Sequence, residues 1–499
     1  MVPARALVGI LAACVCCALA AQSTRPPRIW DDAALAEWAT PIARLGVRPS
    51  HYSSTEYYAA REDNYQTYPV YHPDSEPPGY WENLQKRAPT PLVDARTIRS
   101  QSDWAATGER VFRELDAVLE RTSDPAIIAL ARDPASFAGA LKLPDGTAFG
   151  PRWVVTPDGV QLGFLACGGC HFSIAPDHSV VYAGPGSSVP PGMPRVNPRG
   201  IGGAAATLRG IRTLFADDDF GTALWRQYTV PWAPDDRVEQ LRGMTQPQIL
   251  KLLSASGGAR IHGSPYYGAK IPDLRLLRFY RYIDATATHR LRGPEDIARY
   301  AALITGADVM QFDTHRILSD GQRRLRFRYA DEVLYSIGLY LLSIEPPRNP
   351  SPAPRESVDR GEQVFKREGC IECHVAPAYT SSQLTTARGW KPATGHPNIA
   401  DVTPKSPGTD PRLALNTRKG TGFYKIPSLR GVWYRPRLLH DGSFTSLEEM
   451  FDPARLKPDY VPKGWNPPGT TQRPVHGHLF GIYLNPEEKA ALLAFLRSL

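Results

Sequence analysis

The chain has 499 residues and 58 Lys and Arg against 50 Asp and Glu, giving a formal charge of +8 and a pI near 9.0. The basic residues are scattered, and the densest run, Arg323-Arg324-Leu325-Arg326-Phe327-Arg328, reads as a solvated face or a clamp for carboxylates rather than a phosphate-binding patch. That excludes a nucleic-acid partner, and the lack of a long apolar segment beyond the N-terminus excludes an integral membrane protein.

In chain order, the first element is the apolar run Ala6–Ala21, which follows Arg5 and ends Ala18-Leu19-Ala20. A short apolar stretch closed by small residues reads as a signal peptide over 1–21, so the protein is expected to be periplasmic or secreted. Leu11-Ala12-Ala13-Cys14 resembles a lipoprotein box, but apolar residues continue past Cys14, and membrane association is expected only with lipidation. Residues 22–100 are rich in Pro and Tyr, including Tyr52, Tyr57, Tyr58, Tyr65, Tyr68, Tyr71 and Tyr80. Few apolar positions recur at helical spacing there, so a long irregular arm docked on the rest is expected.

A degenerate repeat follows. Gly108-Glu109-Arg110-Val111-Phe112 matches Gly361-Glu362-Gln363-Val364-Phe365, each in a helical pattern upstream of a Cys-x-x-Cys-His. Each half also closes with a helix. Asp331-Glu332 open the first, with Leu334, Ile337 and Leu341 on one face. Asn485 caps the second, where Leu492, Phe495 and Leu496 form the face. The boundaries expected are a first domain over 101–346, with about fifty residues inserted before its cysteines, a Pro-rich linker over 347–355, and a second domain over 356–499.

The two pentapeptides are Cys167-Gly168-Gly169-Cys170-His171 and Cys370-Ile371-Glu372-Cys373-His374. Composition predicts about 0.002 such matches by chance in this chain. Two thiols at this spacing can form thioethers to the two vinyl groups of one porphyrin, and the following histidine binds iron from the same side. A zinc ribbon would bring its cysteine pairs within about twenty residues, and a redox dithiol would not require the histidines. Of seven cysteines, four lie in these motifs and three (Cys14, Cys16, Cys17) in the signal run. Two c-type haems are therefore expected, attached at Cys167, Cys170, Cys370 and Cys373, with His171 and His374 as proximal ligands. Helix, motif and closing helix is the order of a small cytochrome c, so the fold expected is mainly α: two cytochrome c-like haem domains with a long irregular N-terminal arm. Past His374, Met450 sits at an apolar helical position and reads as core, leaving His396, His440, His476 and His478 as distal candidates. For the first haem His178, Met193, His262, His289 and His315 remain open. Gly184-Pro185-Gly186 and Gly200–Gly203 lack the dinucleotide spacing and read as loops.

Tyr424-Lys425-Ile426-Pro427-Ser428-Leu429-Arg430 and Leu439-His440-Asp441-Gly442, continuing to Leu447-Glu448-Glu449, resemble the bacterial di-haem cytochrome c peroxidase superfamily that contains MauG. Tyr68–Pro73, Pro77–Trp81, Ile271-Pro272-Asp273-Leu274, Asp284–His289 and Gly477–Gly481 resemble its di-haem rubber oxygenase branch, whose members extend further after the second haem. The resemblance implies that His478 closes the second haem and that the first haem is open and reactive. It also implies a calcium near Tyr424–Leu429, and aromatic residues such as Trp225, Trp232 or Phe279–Tyr282 between the haems. The leading expectation is a peroxidase-like oxidoreductase acting on peroxide or dioxygen, served by a small redox protein or a small-molecule oxidant or reductant. An oxygenase cleaving an apolar alkene and an electron carrier without substrate are the alternatives.

Overall fold

The computed structural model describes residues 26–116, 121–134, 142–163, 167–174, 180–186, 219–255, 264–319 and 321–499. The signal segment, the Gly200–Gly203 stretch and the candidates His178, Met193 and His262 lie outside the described residues.

Two helix pairs organise the molecule, one in each half. Gln101–Glu114 packs on Asp331–Ser343, and Arg355–Arg367 packs on Pro486–Ser498. The repeated glycine is the point of closest approach in both. A Cβ on Gly108 would lie 1.9 Å from the Ser336 carbonyl oxygen, and one on Gly361 would lie 2.0 Å from that of Ala491. Only glycine lets the backbones approach so closely, which explains the G-E-x-V-F repeat. Three positions further, Val111 and Val364, with Phe112 and Phe365, point into the cores and are nearly fully buried. The helices start where side-chain caps fall. Ser100 and Asp103 form a reciprocal capping box, and the Asn485 side chain accepts from Glu488 N–H at 2.9 Å.

Helices outweigh strands among the described residues, but the N-terminal segment is not the irregular arm that its composition suggests. It carries helices Asp32–Ala36, Ser54–Ala59 and Tyr80–Gln85 and strands Arg61–Asp63 and Thr67–Tyr71. The second strand forms one edge of a four-stranded sheet, pairing antiparallel with Thr147–Thr156, which continues through Gly159–Gly163 to Arg121–Thr122. Pro69 is tolerated because it lies on an edge strand. The insertion ahead of the first motif thus supplies the sheet that the arm completes. Its hairpin turns at Pro157-Asp158-Gly159, a turn signal visible in the sequence. The first strand pairs parallel with Phe327–Tyr329. Trp30, Trp38 and Tyr57 are almost wholly buried in one core with Phe112, Val333 and Ile337. Trp30, Trp38, Tyr52 and Tyr57 of this segment are core residues, and their aromatic burial, not periodicity, orders it.

The basic run over 323–328 pairs with the same segment: Arg328 meets Glu62 at 2.6 Å and Arg323 approaches Glu56 at 3.7 Å. The Pro-rich stretch after Ser343 has no regular structure up to Arg355. No helix of the described residues is long and apolar enough to cross a membrane.

Candidate cofactor sites

Cys167–Cys170 form a single helical turn after the sheet, and His171 N–H donates to the Cys167 carbonyl at 3.2 Å. Cys370–Glu372 form the equivalent turn, with His374 N–H donating to Cys370 at 2.9 Å. Each turn therefore puts its histidine on the side of its cysteines. No disulfide joins these cysteines. As free thiols they are driven toward the neutral form by burial, Cys167 up to about 12 and Cys370 up to about 11. No group of three or more His, Cys, Asp or Glu able to hold a metal occurs among the described residues.

Both proximal candidates have one ring nitrogen committed to a carbonyl. His171 Nδ1 lies 3.2 Å from Pro272 O, and His374 Nδ1 lies 3.1 Å from Tyr379 O, with the Pro427 carbonyl also acting on its ring. A carbonyl only accepts, so Nδ1 carries the proton and Nε2 keeps its lone pair, the tautomer a metal ligand needs. These carbonyls expose a second repeat, which the cysteine motifs do not signal. Lys270-Ile271-Pro272-Asp273-Leu274-Arg275 matches Lys425-Ile426-Pro427-Ser428-Leu429-Arg430. Phe279-Tyr280-Arg281 then matches Trp433-Tyr434-Arg435 after a one-residue shift.

The two loops are tied across the halves. Tyr434 donates its hydroxyl to Asp273, while Ser428 N–H donates to Tyr280 Oη at 3.0 Å. Each half thus sends its tyrosine to the residue following the other half's Ile-Pro. The repeat lysines are both buried, and burial lowers the Lys270 amine to about 7 and the Lys425 amine to about 8. Lys425 Nζ sits 4.0 Å from the centre of the Tyr280 ring and donates to Tyr282 O at 3.1 Å, so at the Tyr424–Leu429 segment the chain supplies its own cation.

Of the four histidines open for the distal side of the second motif, His478 is the one brought to His374. Their ring centres are 6.4 Å apart with planes at 52°. His396 packs instead on Phe423 and Trp390, His440 on Tyr424, and His476 is exposed. Burial lowers His374 to about 4; burial and then the neighbouring His374 lower His478 to about 4, so both are neutral at pH 7. Nδ1 of His478 is buried without a hydrogen-bond partner. The spacing fits one metal between two imidazoles: two metal–nitrogen bonds of ~2.0 Å plus ~1.1 Å from each nitrogen to its ring centre sum to about 6.2 Å. These residues therefore fit an iron held from both faces. Met450 is buried in the core around Phe365 and Leu492.

His478 is held by a residue that sequence reasoning does not single out. Arg455 is 0% exposed and donates Nε to Met450 O (3.0 Å), Nη1 to Val475 O, and Nη2 to Gly477 O (3.0 Å) and His478 O (2.8 Å). His478 N–H donates to Pro407 O at 2.6 Å and its φ is +51°. A buried guanidinium with its donors spent on carbonyls fixes a loop that would otherwise relax from this backbone conformation. The signal in the sequence is faint, a lone Arg after Asp452-Pro453-Ala454.

Of the histidines left open for the first motif, His289 lies against Trp38, His51 and Tyr300, and His315 against Trp232. Trp225 and Trp232 border a core of Tyr228, Val238, Leu241 and Phe312. Tyr280, by contrast, touches the loop of the second motif.

No family model matches the chain and no curated protein is similar to it in sequence. Among solved structures it is similar to hydrazine synthase of Kuenenia stuttgartiensis, at 15% identity over 47% of this chain and 73% of that one, with a TM-score of 0.27. It is also similar to a MauG-like protein associated with microbial copper homeostasis, at 20% identity over 34% of this chain and 56% of that one, with a TM-score of 0.22. A variant of the diheme peroxidase BthA from Burkholderia thailandensis is similar at 16% identity over 83% and 91%, with a TM-score of 0.25. The likeness is distant by every one of these values, and the chemistry of the two sites is read from their own side chains.

Proposed function

We propose that the chain is an exported di-haem oxidoreductase of the peroxidase type, with one haem attached at Cys167 and Cys170, the other at Cys370 and Cys373, each in a cytochrome c-like half. The facing pair of His374 and His478 carries this reading. Two neutral imidazoles at iron-spanning distance, beside a Cys-x-x-Cys-His, have little use except to hold a six-coordinate haem. The haems, when attached, supply one-electron redox chemistry and an iron able to take an exogenous oxidant. A centre closed by the chain's own histidines on both faces cannot admit a substrate ligand without losing one of them. Substrate chemistry therefore falls to the His171 centre, and storage or delivery of electrons to the His374–His478 centre. The resemblance read from the sequence points the same way, with peroxide or dioxygen as oxidant and a small redox protein or small molecule as the other partner.

In this scheme the Pro272 carbonyl orients the His171 ring and the Tyr379 carbonyl, with that of Pro427 beside it, orients the His374 ring, Arg455 holds the His478 loop, and Tyr280 and Tyr434 keep the two Ile-Pro loops in register. The test is the optical and paramagnetic resonance spectrum of the oxidised holoprotein. One low-spin centre plus one high-spin centre that responds to cyanide or peroxide is expected. Two low-spin centres inert to both would leave the electron-carrier reading, and the absence of covalently bound haem would remove the proposal.

A further inference from the structure

Two other histidines share the arrangement of the second haem pair but belong to neither motif. His51, from the N-terminal segment, and His289 have ring centres 6.1 Å apart with planes at 45°. Backbone bridges pin both, His51 to Asp308 and His289 to Ala39. Trp38 walls the pair at 4.1 Å from His289 and 5.5 Å from His51, and the edge of Trp30 meets His51 at 6.1 Å.

The hydrogen bonds fix which nitrogens are left. Thr288 Oγ1 donates to the Asp284 carboxylate at 2.9 Å, so it can only accept from His289 Nδ1, 3.0 Å away. Asp284 is in turn anchored by the Tyr300 hydroxyl and the Lys419 ammonium. His289 therefore presents an Nε2 lone pair, and that atom is buried without a partner. Both ring nitrogens of His51 are likewise buried without partners. Three orphaned ring nitrogens on two neighbouring rings are costly, since each forfeits a hydrogen bond worth about 1–3 kcal/mol. A carboxylate-anchored imidazole is also the usual second layer behind a metal ligand.

We propose that His51 and His289 bind one monovalent copper ion in line between their imidazoles. The donor set selects the metal. Zinc would require about four ligands and calcium or magnesium an oxygen cage, whereas the pocket offers two neutral nitrogens and an aromatic wall. Burial lowers His51 to about 4 and His289 well below its ordinary range, so neither needs to shed a proton on binding. None of its residues belongs to the Cys-x-x-Cys-His turns, and the proposal takes His289 out of the candidates for the distal side of the first haem.

The experiment is an anaerobic titration of the purified holoprotein with Cu(I) against a chromophoric competing chelator, with haem counted separately on the same sample. The wild-type chain takes up one equivalent. His51→Phe and His289→Phe each weaken uptake at least about 100-fold, and Thr288→Val, which frees the His289 ring, weakens it about 10-fold. X-ray absorption of the loaded wild-type protein shows two imidazole nitrogens and no sulfur, a readout that stands even if a variant fails to fold. No stoichiometric uptake by the wild type, uptake that survives both His substitutions, or a sulfur ligand overturns the proposal. The first of these outcomes would mean that the pair holds only water.

Discussion

Replacing Arg455 with Met tests whether the His478 loop is held in place from behind or simply rests there. The substitution keeps most of the volume and removes every donor. Three of the four bonds, to Val475, Gly477 and His478, go to the loop itself. Charge-assisted hydrogen bonds contribute about 1.5–3 kcal/mol each, and water can re-solvate a loop that moves out, so the lower figure applies and the loop loses roughly 4–5 kcal/mol of restraint. If half of that falls on the equilibrium between His478 in place and His478 displaced, the equilibrium constant for the in-place form drops by a factor of about 40. The oxidised holoprotein should then show a second centre that is partly high-spin and binds added imidazole, while the His171 centre keeps its spectrum. Since the +51° backbone of His478 is not a relaxed conformation for histidine, the displaced form has no reason to return. An Arg455→Met protein whose second centre remains fully low-spin and indifferent to imidazole would refute the clamp, and with it the claim that positioning, not mere proximity, makes His478 a ligand.

The glycine contacts give a second test. Gly361→Ala and Gly108→Ala should each cost at least about 3 kcal/mol in chemical denaturation, because backbone must move, whereas Gly243→Ala, with nothing within 4 Å of the added carbon, should be near neutral. For pH, in the haem-free chain burial gives His374 a folded pKa of about 4 against about 6.5 in the unfolded chain, so the unfolded state holds more protons between those values. Stability should be flat above about pH 7 and fall by about 3 kcal/mol from this residue as the pH drops from about 6.5 to about 4; a melting curve that is flat through that window would contradict the assigned burial. Tyr434→Phe strips the buried Asp273 of a donor from the opposite half. It should cost about 1–3 kcal/mol and shift the midpoint of the His171 centre in a redox titration, and an unchanged midpoint would show that the cross-tie does not reach that ligand.

The covalent attachment proposed here is a reading of the sequence, because thioether chemistry dictates an uninterrupted pentapeptide. The framework helices are legible because burial repeats every three to four residues in Asp331–Ser343 and Pro486–Ser498. The N-terminal segment misleads for the complementary reason. Its order comes from single large aromatics such as Trp30, stacked on Tyr57 at 4.6 Å, and from strands whose partners lie more than seventy residues away, neither of which leaves a local period. The proximal hydrogen bonds are invisible because their acceptors are backbone carbonyls, which any residue supplies. Arg455 escapes notice because a lone arginine is ordinarily a surface residue. The Lys-Ile-Pro-x-Leu-Arg repeat is legible but easily missed. Each copy stands out as a separate point of resemblance, and only aligning one with the other reveals that they are equivalent.

That equivalence changes how the two halves relate. In each, a glycine seats the closing helix, the carbonyl of the Ile-Pro proline acts on the proximal histidine (joined at His374 by that of Tyr379), and a tyrosine seven or eight residues after that proline leaves for the other half. The last feature has no meaning in a single module, since neither tyrosine bonds the loop of its own half. Tyr280 and Tyr434 make the halves mutually dependent: the loop that sets the His171 ring is held by the second half, and the loop that sets the His374 ring is held by the first. If the two histidines hold the proposed haems, a displacement of either would strain a hydrogen bond that belongs to the opposite half. The arrangement favours two centres that respond to one another over two carriers that happen to share a chain, because independent carriers would gain nothing from burying Asp273 against a tyrosine from the other half.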